Sequence, residues 1–311
     1  MGFMTACIHP ESAPPTPRLN PIPMLHFFKI YSVIVGVFLV IMVALPGSFW
    51  QLLLNFGAFA LLGLCGALVA NSTGAGGGVV FIPLFDALHF SEVQAVATSM
   101  AIQCCGMPAG SWAWLRQIEL NPDRFQTTLP EVRNLMLVSG PATVLGVLLA
   151  QYALPPSALP IATLFRGFSV FFGMMLLFQV WRVRSRPGGH TGAAGFEHLR
   201  TLLLALTALL GGVITAWISV GVGELVALLL IFLGFPALLS VAIGVYTSAL
   251  SVLVGVMMHL WHGNVVQEVW VFAGLAAIAG GLLARHIATY LGPTRLKIFF
   301  AMWIIVTGLI M

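Results

Sequence analysis

Two glycine-rich segments interrupt long apolar runs in this sequence. Residues 71–78 read NSTGAGGG, and residues 219–224 read SVGVGE. Glycine permits close approach of the backbone, and a short helix starting after each segment would point unpaired N–H groups and the positive end of its dipole back toward the segment. The chemistry that this pattern predicts is the binding of a small anion by main-chain amides.

The candidate binding residues are the glycines of the two segments and the Thr-Ser pair that follows each of them. They are Gly74, Gly76, Gly77, Gly78, Thr98, Ser99, Gly221, Gly223, Thr247 and Ser248. The hydroxyl groups would donate hydrogen bonds without placing a fixed charge in the path. Close helix packing is the alternative explanation for the glycines, and it is the one we favour for Gly63, Gly66, Gly280 and Gly281.

Two charged residues are candidates for coupling or gating. Glu224 ends the second segment, and an acid at membrane depth is costly and usually functional. It would couple protons or gate the path, or alternatively cap the helix that follows it. Arg166 lies inside an apolar run, where it either extends to the interface or attracts anions along the route.

The composition requires a bilayer, because 59% of the residues are hydrophobic and 7% are charged, against about a quarter charged in soluble domains. Most of the apolar runs approach the roughly 20 residues that a spanning helix needs. They cover residues 24–45, 51–70, 92–115, 133–154, 158–181, 200–220, 236–260, 266–284 and 296–311. The runs 79–90 and 225–234 are too short to span alone.

The basic residues predict the topology, because Lys and Arg collect in cytoplasmic loops. Twelve of the thirteen fall into four groups: Arg18 and Lys29; Arg116, Arg124 and Arg133; Arg182, Arg184, Arg186 and Arg200; Arg285, Arg295 and Lys297. All four groups lie on one side only if 51–90 and 200–234 each enter and leave on the same face. Each is then a hairpin whose turn is a glycine-rich segment.

The predicted fold is an all-α integral membrane protein with two inverted repeats. Each repeat is a Gly-broken helical hairpin followed by three transmembrane helices, an arrangement found in many secondary transporters, whose sites lie at the repeat interface. The predicted divisions are a disordered cytoplasmic tail at 1–23, an extra N-terminal helix at 24–45, repeats at 51–181 and 200–311, and a basic cytoplasmic loop at 182–199.

At these residues the chain resembles the TauE/SafE family of membrane permeases, also described as sulfite or sulfonate exporters. Residues 74–78, with Pro83 and 95–99, resemble the family's first motif. Residues 221–224 and 242–248, with His259 and 263–265, resemble its second. The likeness runs from about 51 to 311. The second break has one glycine fewer and shows Pro236 where no proline is expected, and the N-terminal helix is an addition to the family core.

The resemblance implies transport of a small sulfur-containing or related organic anion across the bacterial inner membrane, driven by an ion gradient with protons or sodium as the candidate coupling ion. The predicted partners are therefore the anion and the lipid bilayer, with no nucleic acid and no cofactor or metal. An anion channel is the alternative. An intramembrane enzyme fits less well, because the sequence has neither a Gly-x-Ser-x-Gly elbow nor a His-Glu-x-x-His pattern.

Overall fold

The computed structural model describes residues 24–45, 48–155, 157, 159–184 and 197–310. All regular structure in these ranges is helical: α1 Met24–Ala44, α2 Phe49–Phe56, α3 Ala58–Thr73, α4 Gly78–Ala87, α5 Glu92–Leu120, α6 Pro122–Phe125, α7 Leu129–Leu148, α8 Ile161–Arg184, α9 Glu197–Ile218, α10 Val222–Phe232, α11 Ala237–Trp261, α12 Gln267–Leu291 and α13 Pro293–Ile310. One π-helical turn, Leu149–Ala153, continues α7. The predicted tail at 1–23 and residues 185–196 of the predicted basic loop lie outside the described residues.

Five helices in these ranges are long and apolar enough to cross a bilayer. Their spanning parts are Leu129–Ala153, Ile161–Phe178, His198–Ile218, Ala237–Trp261 and Gln267–Leu291. The pair Tyr31–Ala44 and Phe49–Phe56, bent by 107°, adds a sixth if it counts as one span. The prediction of an all-α integral membrane protein is therefore confirmed.

Helix α5 is long but less apolar than these spans. Its 29 residues extend for about 43 Å at the α-helical rise. Most of its residues are buried, including the polar side chains of Thr98, Ser99 and Gln103. A helix that contacts protein and not lipid does not need an apolar surface, and its polar side chains can bond to neighbouring elements.

The chain leaves the helical conformation at both glycine-rich segments. Gly74 ends α3 with φ +82°, and Gly221 precedes α10 with φ +136°. Side chains other than glycine rarely tolerate such values. The helices that follow, α4 with 10 residues and α10 with 11, are the two short apolar runs of the sequence and are too short to span alone.

The two hairpins, α3–α4 and α9–α10, begin at opposite ends of the molecule. At one end, which we call the His259 end, α4 leads into the start of α5, and Glu92 and His259 line one cavity. At the other, the basic end, Leu233 and Phe235 after α10 lie in a cavity with Arg200.

Packing between helices follows the same pattern in both halves. α3 packs on α12, and α9 packs on α7 in the same way. α5 likewise packs on α12, and α11 on α7. α5 also pairs with α11, and α8 with α13. This pattern favours two related units, and the inversion of the second unit stays a prediction.

Glycines make the closest of these helix contacts. A Cβ at Gly63 would overlap the carbonyl of Ala273, and one at Gly280 would lie 2.5 Å from the carbonyl oxygen of Leu64. Between α7 and α9, Gly146 faces the carbonyl of Leu209 in the same way. These contacts agree with the packing explanation for Gly63 and Gly280, because small residues let helix backbones approach closely.

We predict that Gly63→Ala destabilises the protein, because the added methyl group meets backbone that cannot rotate away. The expected loss is about 1–3 kcal/mol, typical of overpacking, measured as a lower unfolding temperature in detergent. Gly167→Ala on α8 is the matched control, because nothing lies within 4 Å of its added Cβ. Equal unfolding temperatures for the two variants would contradict close α3–α12 packing.

Candidate functional site

The tips of the two hairpins meet, and Glu224 joins them. Its Oε1 accepts a hydrogen bond from the N–H of Gly76 at 2.8 Å, and its Oε2 accepts one from the N–H of Gly221 at 2.9 Å. The first donor belongs to the opposite hairpin and the second to its own. Glu224 is 2% exposed, and among the buried residues that the structure describes it is the one carboxylate.

Gln103 makes the second connection between the tips. Its Oε1 accepts from the N–H of Gly77 at 2.6 Å, while its Nε2 donates to the Oγ atoms of Ser99 at 3.1 Å and Ser219 at 2.9 Å. Ser219 also donates to Ser99 at 2.9 Å. These bonds link α5 to the turns of both hairpins, and we call Gln103, Ser99, Ser219 and Glu224, with the amides of Gly76 and Gly77, the tip junction.

The tips approach so closely that side chains would not fit between them. A Cβ at Gly223 would overlap the carbonyl oxygen of Gly74 and the hydroxyl of Ser248, and one at Gly78 would lie 2.5 Å from the carbonyl oxygen of Ser219. Ser219 itself has φ +60°. A non-glycine residue in this conformation is strained, and such residues concentrate at functional sites.

Each first helical turn after a break presents N–H groups that have no acceptor within their own helix. Just before α4, the N–H groups of Gly76 and Gly77 are accepted by the side chains of Glu224 and Gln103. At α10, Glu224 accepts from Gly221, and the Oγ1 of Thr215 accepts from the N–H of Val222 at 2.9 Å. A carboxylate at two helix N-termini is also favoured by the helix dipoles, so the junction is already arranged to hold an anionic group.

The structure brings most of the predicted binding residues to the tip junction. Gly74, Gly76, Gly77, Gly78, Gly221, Gly223 and Ser99 lie in it or against it. Ser248 borders Gly223, and its buried hydroxyl has no hydrogen-bond partner among the described residues.

Three predicted site residues are directed elsewhere. The Oγ1 of Thr98 accepts from the N–H of Val266 at 3.0 Å, which anchors the loop before α12. The Oγ1 of Thr247 bonds to its own helix, at 2.9 Å from the carbonyl oxygen of Gly244. Arg166 is exposed on α8, and the structure does not bring it to the tip junction.

The sequence alone assigned no role to Gln103 and Ser219, the two side chains that bridge the junction. Gln103 lies one helical turn after Ser99 and shares its face, which was a usable signal once Ser99 was selected. Ser219 is the first residue of the second glycine-rich segment, but its bond to Gln103 depends on how α9 packs. Trp114, which donates to the carbonyl oxygen of Asn71 at 2.8 Å, similarly positions the end of α3.

Two cavities lie beside the tip junction. One, of about 30 Å³, borders Ser72, Thr73, Ala75 and Glu224 and is otherwise lined by apolar side chains of α8, α10, α11 and α13. The other, of about 410 Å³, opens at the His259 end and reaches Val96 and Trp217. Val96 precedes Ser99 by one turn of α5, and Trp217 precedes Ser219 by two residues, so the tip junction separates the two cavities.

We predict that Gln103→Leu lowers stability by about 1–3 kcal/mol, because it leaves the buried N–H of Gly77 without an acceptor. Thermal unfolding of the purified protein in detergent measures the loss. Gln117→Leu, the same substitution at a half-buried position of the same helix, is the control and should change stability by less. Equal effects would mean that the bond to Gly77 contributes nothing.

Comparison with known proteins agrees with this architecture. The family model described as "Sulfite exporter TauE/SafE" matches residues 59–311, which include both hairpins and every helix after them. No curated protein matches the chain, and no solved structure does. The match covers most of the sequence and confirms the resemblance drawn from the two motifs: the chain belongs to the sulfite exporter TauE/SafE family of membrane transporters.

Proposed function

We propose that the protein is a secondary transporter that moves sulfite, an organosulfonate or a related small organic anion across the inner membrane, coupled to an ion gradient. The anion binds at the tip junction, between the N-termini of α4 and α10. The basic end of the molecule faces the cytoplasm, in accordance with the distribution of Lys and Arg.

The observation that carries this proposal is the hydrogen bond between Glu224 and Gly76 across the two hairpins. A carboxylate oxygen and an oxygen of sulfite or a sulfonate are alike in charge and in hydrogen-bond geometry. The amide of Gly76 already holds one such oxygen, so it is suited to hold another. Glu224 thus occupies the place that the transported anion takes during the cycle.

This arrangement gives Glu224 a role in coupling. Two negative charges that compete for the same amides in a buried site repel each other strongly. The substrate can therefore enter only when Glu224 moves away or is neutralised by a proton. Proton uptake by Glu224 would then accompany anion binding, which couples the two movements.

The two cavities support alternating access over an open pore. A cavity of about 30 Å³ borders Glu224, and the bonds of Gln103 with Gly77 and Ser219 close the way from there to the cavity at the His259 end. Breaking these bonds as the hairpins shift would open the other side. A carrier requires the path from the site to be open to one face of the membrane and closed to the other, in alternation. A channel would need both paths open together.

The function is tested by uptake of radiolabelled sulfite and ethanesulfonate into proteoliposomes containing the full chain. A carrier gives saturable uptake and accumulation driven by an imposed pH or sodium gradient. Fast uptake that does not depend on any imposed gradient, and that never raises the internal anion concentration above its equilibrium value, would identify a channel instead. Absence of uptake for both anions, in protein that retains its unfolding transition, would overturn the proposed substrate class.

We predict that Glu224→Gln separates anion binding from proton coupling. Glutamine keeps an oxygen acceptor and similar size but carries no charge, so sulfite should still bind while transport loses its dependence on an imposed pH gradient. The measurement is the pH profile of uptake from 5 to 8, the range in which buried carboxylates with shifted pKa values titrate. Glu119→Gln, at a half-buried position near the end of α5, is the control, and an unchanged profile in Glu224→Gln would exclude the coupling role.

A second prediction concerns the closeness of the tips. Gly223→Ala inserts a methyl group between Gly74 and Ser248, which should separate the hairpins and lower sulfite uptake by about tenfold or more, since misplaced binding groups of this kind cost that much. Gly36→Ala, where nothing lies within 4 Å of the added atom, is the matched control. Uptake within about twofold of the unmodified protein in Gly223→Ala would place the anion elsewhere.

A further inference from the structure

The cavity at the basic end lies between the start of α7, the start of α9 and the end of α10. At about 620 Å³ it falls within the size range of sites that bind small molecules. It shares no lining residue with the tip junction or with the two cavities beside that junction. A ligand in it would therefore not occupy the place proposed for the transported anion.

The lining of this cavity changes from polar to apolar along both long helices. The polar members come first on α7 and α9: Thr128, Glu131, Asn134, Arg200 and Thr201. The apolar members lie further along α7 and α9 or on α10: Leu135, Val138, Leu204, Leu230 and Leu233, with Phe235 just after α10. The lined part of α7, residues 128–138, extends for about 15 Å at the α-helical rise. A phospholipid has the same order of polar headgroup and apolar chain across the membrane surface.

The polar part of the cavity contains one charge of each sign, Arg200 and Glu131. A guanidinium group suits a phosphate, which it can bind through two parallel hydrogen bonds. The Oε2 of Glu131 accepts from the Oγ1 of Thr127 at 2.7 Å, which positions the carboxylate. Its Oε1 bonds to no donor among the described residues, and it is not enclosed. This oxygen is therefore an accessible acceptor for a ligand.

This combination of charges selects the headgroup. A free phosphate or an anionic phospholipid would leave Glu131 unmatched beside a like charge. A choline headgroup has no N–H to donate to the carboxylate, whereas the primary ammonium group of ethanolamine has three. Phosphoethanolamine alone would leave the apolar lining uncovered, and an acyl chain attached to it would cover this surface and exclude water.

We propose that this cavity binds one molecule of phosphatidylethanolamine. The phosphate binds Arg200 and the ammonium group binds Glu131, while an acyl chain packs against Leu135, Val138 and Leu204. The ligand is a component of the bilayer and not a transported anion, so the site does not depend on the proposed transport function.

The bound lipid would also contact the second hairpin. Leu230 and Leu233, at the far end of α10 from the tip junction, line the same cavity. Lipid that fills the space between them and α7 would hold the end of α10 in place. We therefore expect phosphatidylethanolamine to raise the unfolding temperature of the detergent-solubilised protein more than phosphatidylcholine does.

The test titrates the purified full chain with phospholipids of identical acyl chains and counts the bound molecules by native mass spectrometry. Phosphatidylethanolamine should fill one saturable site and bind about fivefold or more tighter than phosphatidylcholine or phosphatidylglycerol, because each of these lacks the hydrogen bond between ammonium and carboxylate. The soluble headgroup glycerophosphoethanolamine should bind more weakly than the lipid, because it has no acyl chain.

Two variants test the charged residues separately. Arg200→Gln should weaken binding of phosphatidylethanolamine by about fivefold or more. Glu131→Gln keeps an oxygen that can accept from Thr127, and it should bring the affinities for phosphatidylethanolamine and phosphatidylcholine to within about twofold of each other. The matched controls are Arg133→Gln and Glu119→Gln, which lie outside the cavity lining and should change affinity by less than about twofold.

Asn134→Trp provides a variant that leaves both charges in place. Asn134 is exposed at the start of α7 and lines the cavity, so a bulky side chain there would fill the space with little effect on folding. We expect it to abolish the saturable binding of phosphatidylethanolamine while the unfolding transition is retained.

Three results would overturn the inference. They are equal affinities for the three phospholipids, a preference for phosphatidylethanolamine that survives in Glu131→Gln, and binding of glycerophosphoethanolamine as tight as that of the lipid, which would identify a site for a soluble ligand. The proposed function fails separately: if neither sulfite nor ethanesulfonate is transported while the selective lipid binding is observed, the lipid site stands and the proposed substrate class does not.

Discussion

The fold depends on one constraint: backbone that leaves the helical conformation at membrane depth must find hydrogen-bond partners within the protein. Both hairpin turns break their helices, and each break exposes amides that water cannot reach. Glu224 and Gln103 accept from Gly76 and Gly77, and Thr215 accepts from Val222. The acceptors for Gly76 and Gly77 in the first hairpin turn come from α10 and α5, so this tip is not satisfied by its own hairpin. Meeting of the tips is therefore a condition for satisfying the amides of the first hairpin turn.

The glycines make this meeting possible. Contacts such as that of Gly223 with Gly74 leave no volume for a side chain. Glycines likewise allow α3 to pack closely against α12 and α9 against α7. Close packing and the proposed anion binding are thus compatible explanations for the glycine-rich segments. The absence of side chains is what lets a carboxylate reach an amide of the opposite hairpin, and an anion of similar size would use the same opening.

The buried carboxylate connects structure with transport. A charged group in a low-dielectric site needs compensation, which two amides and the dipoles of two short helices supply to Glu224. In the proposed function these same groups bind the transported oxyanion. The proposed substrate and Glu224 would then exchange places on the same donors, and exchange of charge in a closed space is a simple physical basis for coupling.

Several features follow from the sequence because they depend on local properties. The spanning helices are determined by the length of apolar runs, and the breaks are determined by residues such as Gly74 and Gly221, whose positive φ values other side chains avoid. The family motifs surround these same residues, so the resemblance was visible before the fold. Ser99 and Glu224 are likewise identifiable from the sequence, Ser99 by the Thr-Ser pair that recurs after each glycine-rich segment and Glu224 by its position at the end of the second one.

Other features were decided by the tertiary structure. Sequence spacing places Gln103 on the same face as Ser99, but only the packing of α5 between the two hairpins brings its amide to Gly77 and Ser219. Thr98 carries a hydroxyl group and directly precedes Ser99, yet the rotation between successive residues of a helix directs its side chain toward Val266. Arg166 has a charge suited to an anion path and is exposed on α8, away from the tips. Residue types and local spacing determine which groups are able to bind an anion, whereas helix packing decides which of them meet, because that depends on contacts between segments far apart in the chain.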